Sequence, residues 1–286
     1  MACLVCEAEG PWRVRLEKAG YTIADCGACG LTQLHPCPSE AELAALYDAD
    51  YFEGMGEGYS AYGEQRTEYE ATFGEDLDRL TAFKAGGRVL DVGCGFGYFL
   101  GPALARGYDA YGLDLSAHAV ALAGEAFPGR VYAGTPEDLP TALGSFDVVY
   151  ASHLIEHIAR PVAYVSALRA RMAEDGVLVF VTPNQASLLA RFSGKRWVSY
   201  KVPEHVAFYT PKTMTDLLGR AGFEVLAIDP AYQYYRLPFV AQRLRELLDP
   251  VSRLAPKVEQ WGGLRDRMVR VTSGSLRVIA RPAGGR

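Results

Sequence analysis

Val89-Leu90-Asp91-Val92-Gly93-Cys94-Gly95-Phe96-Gly97-Tyr98 is the stretch on which the fold turns. An apolar, β-branched run stops at an acidic residue. Three glycines follow at alternate positions, and a helix-like segment begins. The pattern predicts a strand, a tight turn and a helix start. Glycine reaches backbone angles that other residues avoid, and it lets a ligand approach the main chain. The helix N-terminus adds free N–H donors. The stretch therefore predicts a small-molecule binding turn at the carboxyl end of the first parallel strand of an α/β sheet. A dinucleotide turn, G-x-G-x-x-G, needs a third glycine where this chain has Tyr98.

A second acidic residue closes the next apolar run. Ala110-Tyr111-Gly112-Leu113-Asp114 ends about 20 residues on, the interval of a βαβ unit. Ser116 is a good N-cap for the helix that follows. This ordered set, D-x-G-x-G-x-G and then an acidic strand end, resembles motif I of class I S-adenosylmethionine (SAM) methyltransferases. The resemblance implies an α/β fold with a seven-stranded Rossmann-like sheet. It implies a glycine loop around the methionine portion of SAM and ribose hydroxyls on Asp114. Cofactor contacts are implied at Asp91, Gly93, Cys94, Gly95, Gly97, Tyr98, Asp114, Leu115, Thr135, Pro136, Glu137 and Ser152. Gly134 to Pro140 resembles the family's segment after the third strand. Thr135 stands there in place of an aspartate that contacts the adenine amino group, and its hydroxyl is the candidate substitute. Cys94 reads as packing rather than as a nucleophile.

The resemblance runs from about residue 88 to 230. Phe146 to Tyr150 reads as the fourth strand and Gly176 to Val181 as the fifth. Thr210 to Ala221 reads as a helix, with Pro211 in its first turn and Gly222 after its end. Phe223 to Ile228 then reads as the sixth strand. Ser275 to Arg281 alternates apolar and polar residues, as a seventh strand at a sheet edge would.

The N-terminus carries a separate signal. Cys3-x-x-Cys6 and Cys26-x-x-Cys29 have the spacing of a four-cysteine zinc ribbon. Hairpin-like stretches, Trp12 to Leu16 and Tyr21 to Ala24, fill the interval. So small a unit buries too little to fold unaided, so a structural Zn2+ on Cys3, Cys6, Cys26 and Cys29 is expected. Disulfides or redox thiols are the alternatives. No signal peptide is read ahead of the ribbon, and a cytoplasmic location is expected. His35 and Cys37 read as bystanders.

Three units are expected: a ribbon over 1–38, a helical Tyr-rich lid over 39–84 and a SAM-binding core over 85–286. Ser39 to Tyr47 reads as a helix opened by a capping box, and residues 66–84 as an amphipathic helix. Tyr47, Tyr51, Phe52, Tyr59, Tyr62 and Tyr69, with Gly54, Gly56 and Gly58 between, read as a lid that shapes the acceptor pocket or as rings packed on the core. Acceptor-side insertions are expected at 184–209 and 231–271, with Val240 to Leu248 helical. The second insertion is long enough for a cap or a homodimer contact.

At 286 residues, about half of them hydrophobic, the chain fits one α/β domain with an added module. No apolar run is long enough for a membrane span. Net charge is -5 and unevenly spread: residues 1–87 carry 6 bases and 16 acids, residues 184–286 carry 17 and 8. Overall acidity argues against extended nucleic-acid contact. Arg191, Lys195, Arg196 and Lys201 are a local cationic cluster that would attract an anionic acceptor, or a solvated surface.

Methyl transfer from a sulfonium is an in-line displacement, so alignment supplies much of the rate. An oxygen acceptor also needs a base, which belongs after the fourth strand. Ala151-Ser152-His153-Leu154-Ile155-Glu156-His157 lies there, and its Glu-His pair resembles the family's. His153 is the first candidate base and His157 the second. Helix or loop anchoring, or a divalent metal on His153, Glu156 and His157, are the alternatives. Trp197 to Tyr209 resembles an acceptor-side segment of small-molecule methyltransferases, which makes Tyr200 and His205 candidate substrate contacts. Ribbon, arm and core together resemble bacterial zinc-ribbon methyltransferases of the ubiquinone-biosynthesis-like superfamily. The expected acceptor is a sugar, a lipid-linked molecule or a natural product. An RNA or protein methyltransferase that docks through the ribbon, or a non-catalytic SAM-binding protein, are the other readings. Thr182-Pro183-Asn184 in place of N-P-P-Y or D-P-P-Y weighs against the first.

Overall fold

Three short antiparallel strands open the computed structural model, which describes residues 2–46, 65–240 and 266–284. They are β1 (Trp12–Lys18), β2 (Tyr21–Cys26) and β3 (Thr32–His35). β1 is exposed over most of its length, whereas β3 is buried throughout. The helix α1 (Glu40–Ala45) follows. Its capping box is formed: Ser39 N–H donates to Glu42 Oε2 at 2.8 Å, and Glu42 N–H to Ser39 Oγ at 3.2 Å. Tyr47, Tyr51, Phe52, Tyr59 and Tyr62 lie outside the described residues, and so does the expected helix beyond Val240.

The helix α2 (Arg66–Leu80) leads into the main sheet. The remaining elements are β4 (Gly87–Val92), α3 (Leu100–Ala105), β5 (Tyr108–Asp114), α4 (Ala117–Ala126), β6 (Val131–Ala133), β7 (Phe146–Ser152), α5 (Pro161–Arg169), β8 (Met172–Pro183), α6 (Leu188–Ser193), β9 (Ala207–Phe208), α7 (Pro211–Arg220), β10 (Phe223–Arg236) and β11 (Met268–Pro282). Seven strands form one sheet in the order β10-β11-β8-β7-β4-β5-β6. β4 pairs in parallel with β5 and β7, while β11 runs antiparallel to both β8 and β10. The order reverses between β4 and β7, so the crevice lies at the carboxyl ends of those two strands, with β5 next to it. Val89, Leu90 and Val92 of β4 are buried, as a strand covered on both faces requires.

Two expectations about the last strands are corrected. β11 is not at the sheet edge but lies between β10 and β8. Its polar residue Arg277 is buried because Nη2 and Nε reach Asp76 Oδ1 on α2 at 2.5 and 2.8 Å. Alternation here reports a buried ion pair rather than a solvated face. The expected insertion at 231–271 begins and ends as sheet: Tyr232 pairs with Thr272, and Arg236 with Met268.

The ribbon joins the core through a shared sheet, in the order β1-β2-β3-β9. Thr32 pairs with Phe208 and Gln33 with Ala207. Leu16, Ile23 and Leu34 of the ribbon bury against Ala190, Trp197, Tyr200 and Phe208 of the core.

Candidate active site

The alternate glycines after β4 have one conformational cause. Gly93, Gly95 and Gly97 all have positive φ, at 76°, 50° and 74°. Side chains resist that region, so every second position must be glycine. The loop is fastened from β5: the Gly93 and Cys94 amides donate to Leu113 O at 2.8 and 3.1 Å. Asp114 completes it, with Oδ2 accepting from Gly95 N–H at 2.8 Å and Oδ1 from Ser116 N–H at 2.9 Å. Each carboxylate oxygen keeps a further lone-pair site for a ligand hydroxyl. Ser116 caps α4 through Ala119 N–H at 3.2 Å.

Asp91 is buried at the end of β4, and burial, with Asp114 nearby, pushes its carboxyl well above the ordinary range. A buried acid in that state gains from a cation brought beside it. Cys94 is buried too, and its thiol is pushed up by burial and by the two aspartates. A Cβ on Gly112 would stand 2.7 Å from Cys94 Sγ, so the thiol fills the space that Gly112 leaves. Leu115, beside Asp114, is 58% exposed, an apolar surface open to a flat ring. Tyr98 stacks on Tyr69 of α2 with ring centres 5.9 Å apart, which ties the arm to the loop.

Thr135 does not offer the free hydroxyl that the sequence suggested. Its Oγ1 donates to Asp138 Oδ2 at 2.8 Å, and its N–H to the same oxygen at 2.8 Å. This box caps the short turn Pro136–Asp138, in which Pro136 is buried. The carboxylate that lies against Thr135 belongs to exposed Asp138, which sequence reading missed. The capping signal, Thr followed by Asp at the third position of the turn, was there to find it.

Ser152 ends β7, beside Val181 of β8. The next residue, His153, is one of three non-glycine residues with positive φ among the described residues, at 53°. Its amide donates to Val181 O at 2.7 Å. The turn lies against the glycine loop: a Cβ on Gly93 would meet Leu154 Cδ1 at 3.2 Å. His153 Nδ1 is 3.2 Å from Glu156 Oε1, and Nε2 is 3.4 Å from Gln233 Nε2 on β10. Glu156 is buried, and Thr182 Oγ1 donates to its Oε2 at 2.9 Å. Burial alone would raise the Glu156 carboxyl, but the hydrogen bond from His153 and the nearby imidazoles outweigh it and hold it at about 2. An ionised carboxylate only accepts. Nδ1–H of His153 is therefore the donor, and Nε2 keeps the lone pair.

His157 and His205 are placed differently from His153. Both are buried, and their rings meet edge to face with centres 4.6 Å apart. His157 Nδ1–H donates to Glu204 O at 3.0 Å, and Val206 N–H to Glu156 O at 2.8 Å. Burial drives both imidazoles to lower values, which favours their neutral forms. His153, by contrast, has a 36% exposed side chain. Glu156, His157 and His205 bring ligand atoms within 4.8 Å of one another, a spacing a metal would accept. Both Glu156 oxygens are already taken by His153 and Thr182, so the group acts as a polar anchor between two segments. Tyr200 is also buried at the ribbon contact, with its hydroxyl 3.3 Å from Gln185 Nε2. Tyr200 and His205 are each only 5% exposed, so in this fold neither offers the open surface that their reading as substrate contacts expects.

Cys3, Cys6, Cys26 and Cys29 converge, with all four sulfurs within 4.8 Å of one another. Cys3 and Cys29 Sγ are 3.6 Å apart, and so are Cys6 and Cys26. Tetrahedral thiolates on a zinc ion stand about 3.8 Å apart, given a Zn–S bond of about 2.3 Å. The spacing fits a four-thiolate metal and is too long for a disulfide. His35 packs edge-on to Trp12 with ring centres 4.4 Å apart, outside the thiol group.

The profile of the family described as "Methyltransferase domain" matches residues 62–228. The chain is 31% identical over 171 residues to a ubiquinone biosynthesis O-methyltransferase of Cereibacter sphaeroides, an alignment of 54% of this chain and 66% of that protein. It is 29% identical over 175 residues to the enzyme so named from Roseobacter denitrificans, covering 55% and 68%. Just under two thirds of the Cereibacter relative is therefore spanned. Among solved structures, magnesium protoporphyrin IX methyltransferase from Synechocystis with bound SAH superposes with a TM-score of 0.54 at 16% identity, over 86% of this chain and 100% of that one. That likeness is one of fold. The glycine loop, the acidic ends of β4 and β5, the strand order and the matched profile agree, and the chain belongs to the methyltransferase-domain family, as a class I SAM methyltransferase.

Proposed function

We propose that this chain methylates a hydroxyl of a small-molecule acceptor, with His153 as general base. The observation that carries the reading is the state of His153. It is a strained, half-open imidazole, held at Nδ1 by a buried carboxylate and left with its Nε2 lone pair toward Gln233. Strain of this kind persists where the surroundings over-determine it, commonly at functional sites.

The residues present fit SAM. A loop that admits no side chain at three alternate positions gives the methionine portion close access to main-chain N–H groups. Asp91 would face the cationic portion, Asp114 the ribose and Leu115 the adenine. When bound, SAM supplies an electrophilic methyl group. His153 Nε2 would take the proton that the acceptor oxygen loses as the methyl passes to it and the sulfonium leaves as a neutral thioether. Glu156 would hold the ring's orientation and offset the charge that the ring gains, while the positioned base itself would contribute about 10²–10⁴-fold. Tyr69 and Tyr98 close the arm side of the loop, consistent with a lid over 39–84.

The four cysteines would hold a structural zinc, which closes the coordination sphere and leaves no position for water. The ribbon then folds on its metal and fixes the segment 197–208.

The test pairs methyl-labelled SAM with fractionated extract of the source cells. Label in a small-molecule fraction is expected, and His153→Ala should cut its transfer about 10²–10⁴-fold with SAM affinity unchanged. Label in RNA or protein, or turnover that ignores the substitution, overturns the reading.

A further inference from the structure

The segment after β8 carries a surface that the site does not use. Between Asp175 and Glu204 there is no acidic residue, while Arg191, Lys195, Arg196 and Lys201 supply four cations. α6 and the turn behind it have two unlike faces. The inner one buries Ala190, Trp197 and Tyr200 against the ribbon. The outer one leaves Leu188, Phe192 and Val198 exposed at 68%, 88% and 69%, with Leu189 beside them. Arg191, Lys195 and Arg196 are exposed among these apolar side chains. None of the three forms an ion pair with a described residue.

Single exposed apolar residues are ordinary. Four large ones within residues 188–198, interleaved with unpaired cations, form a patch that calls for a partner. We propose that this face docks the protein on an anionic lipid bilayer. Phe192, Leu188 and Val198 enter the headgroup region, and the three cations meet lipid phosphates. This is the chemistry of an interfacial amphipathic segment, with apolar insertion and electrostatic attraction acting together. The charge pattern selects the occupant. The chain as a whole is at -5 and is repelled by an anionic surface unless one face is locally free of acids, as this one is. A second copy docked on the same face would set these cations against themselves across a two-fold axis.

The patch is built in advance rather than folded on contact. Lys18 Nζ of the ribbon donates to Tyr200 O at 2.7 Å. Gln185 Oε1 lies 2.8 Å from Thr32 Oγ1, which binds the loop's other end to β3. The ribbon thereby gains a second task, as the rigid back of a membrane-facing plate. The proposal stands whatever the acceptor is.

The test is co-sedimentation of the full chain with phosphatidylcholine vesicles, with and without phosphatidylglycerol. Wild type should pellet with the anionic vesicles only, and added salt should weaken it. R191Q/K195Q/R196Q should lower partitioning about a hundredfold, at about fivefold per cation. F192S/V198S, which keeps every charge, should lower it at least about tenfold. All these side chains are exposed, so unchanged SAM affinity in both variants verifies their fold. Equal recovery with neutral and anionic vesicles, or glutamine variants that pellet like wild type, would overturn the proposal. So would a wild-type dimer in solution that F192S/V198S makes monomeric while vesicle recovery stays the same.

Discussion

His153 Nδ1 and Glu156 Oε1 stand 3.2 Å apart across one short turn, with the imidazole half open and the carboxylate buried. In the proposed mechanism the pair separates two jobs: Glu156 sets the tautomer, and His153 takes the acceptor's proton. Glu156→Gln keeps the shape but offers an amide that no longer balances a protonated ring. Turnover should fall about 10–100-fold with SAM affinity unchanged, as measured by initial rates and calorimetry. Equal loss of both would make Glu156 a folding residue only.

Acid should loosen the fold in two separate windows. His157 and His205 sit below their ordinary 6.5 in the folded chain because burial disfavours their charged forms. The unfolded chain takes up protons near 6.5 that the folded one refuses. Stability from this source is full above that value and falls as pH drops through it, by about 1.4 kcal/mol for each tenfold by which folding weakens proton binding. Glu156 works lower: its contribution is complete above its ordinary 4.5 and is lost as pH falls toward about 2. Thermal unfolding should show a falling midpoint between pH 7 and 5, with a smaller slope in His205→Leu. An unaltered slope would place both imidazoles in contact with water.

Arg277 on β11 and Asp76 on α2 are the most buried ion pair among the described residues, and Tyr150 O–H donates to the second Asp76 oxygen at 2.6 Å. Burial raises the Asp76 carboxyl, and Arg277 and Tyr150 draw it part of the way back. Removing one partner strands the other in the core, so Arg277→Met should cost about 3–5 kcal/mol. The double variant R277M/D76L should recover a large share of it. Urea unfolding of wild type, R277M, D76L and the double variant gives the comparison, and a simple sum of the single losses would mean that the two groups act independently.

The active-site loop was legible because its constraint is local. Three alternate glycines encode three positive φ values, and Asp114 follows at a βαβ interval. The thiols were legible for the same reason, since a knuckle is a short-range device. Contacts made across the fold were not. Arg277 meets an acid 201 residues away, so its strand read as an edge when it is interior. Likewise β9 is only two residues long and gains its identity from pairing with β3. The burial of Tyr200 and His205 depends on that pairing, which is why a motif-level reading placed them against substrate. His153 was found by position, but its backbone strain was not encoded in any pattern.

Metal removal should act on the acceptor side and spare the cofactor loop. The two cysteine pairs flank the ribbon hairpin in sequence and meet at its open end, where a bound metal would tie them together. If β3 loosens, its pairing with Thr32–Phe208 and Gln33–Ala207 goes, and the burial of Trp197 and Tyr200 goes with it. Trp197 is almost wholly buried in the intact fold. A strong chelator, or Cys26→Ser, should therefore shift tryptophan emission to the red and release about one metal per chain. The strands that carry Asp91 and Asp114 pair among themselves, so SAM affinity should change little. Vesicle binding should drop, because the plate formed by α6 loses its back. Metal release with no change in emission would show that the ribbon stands without its ion.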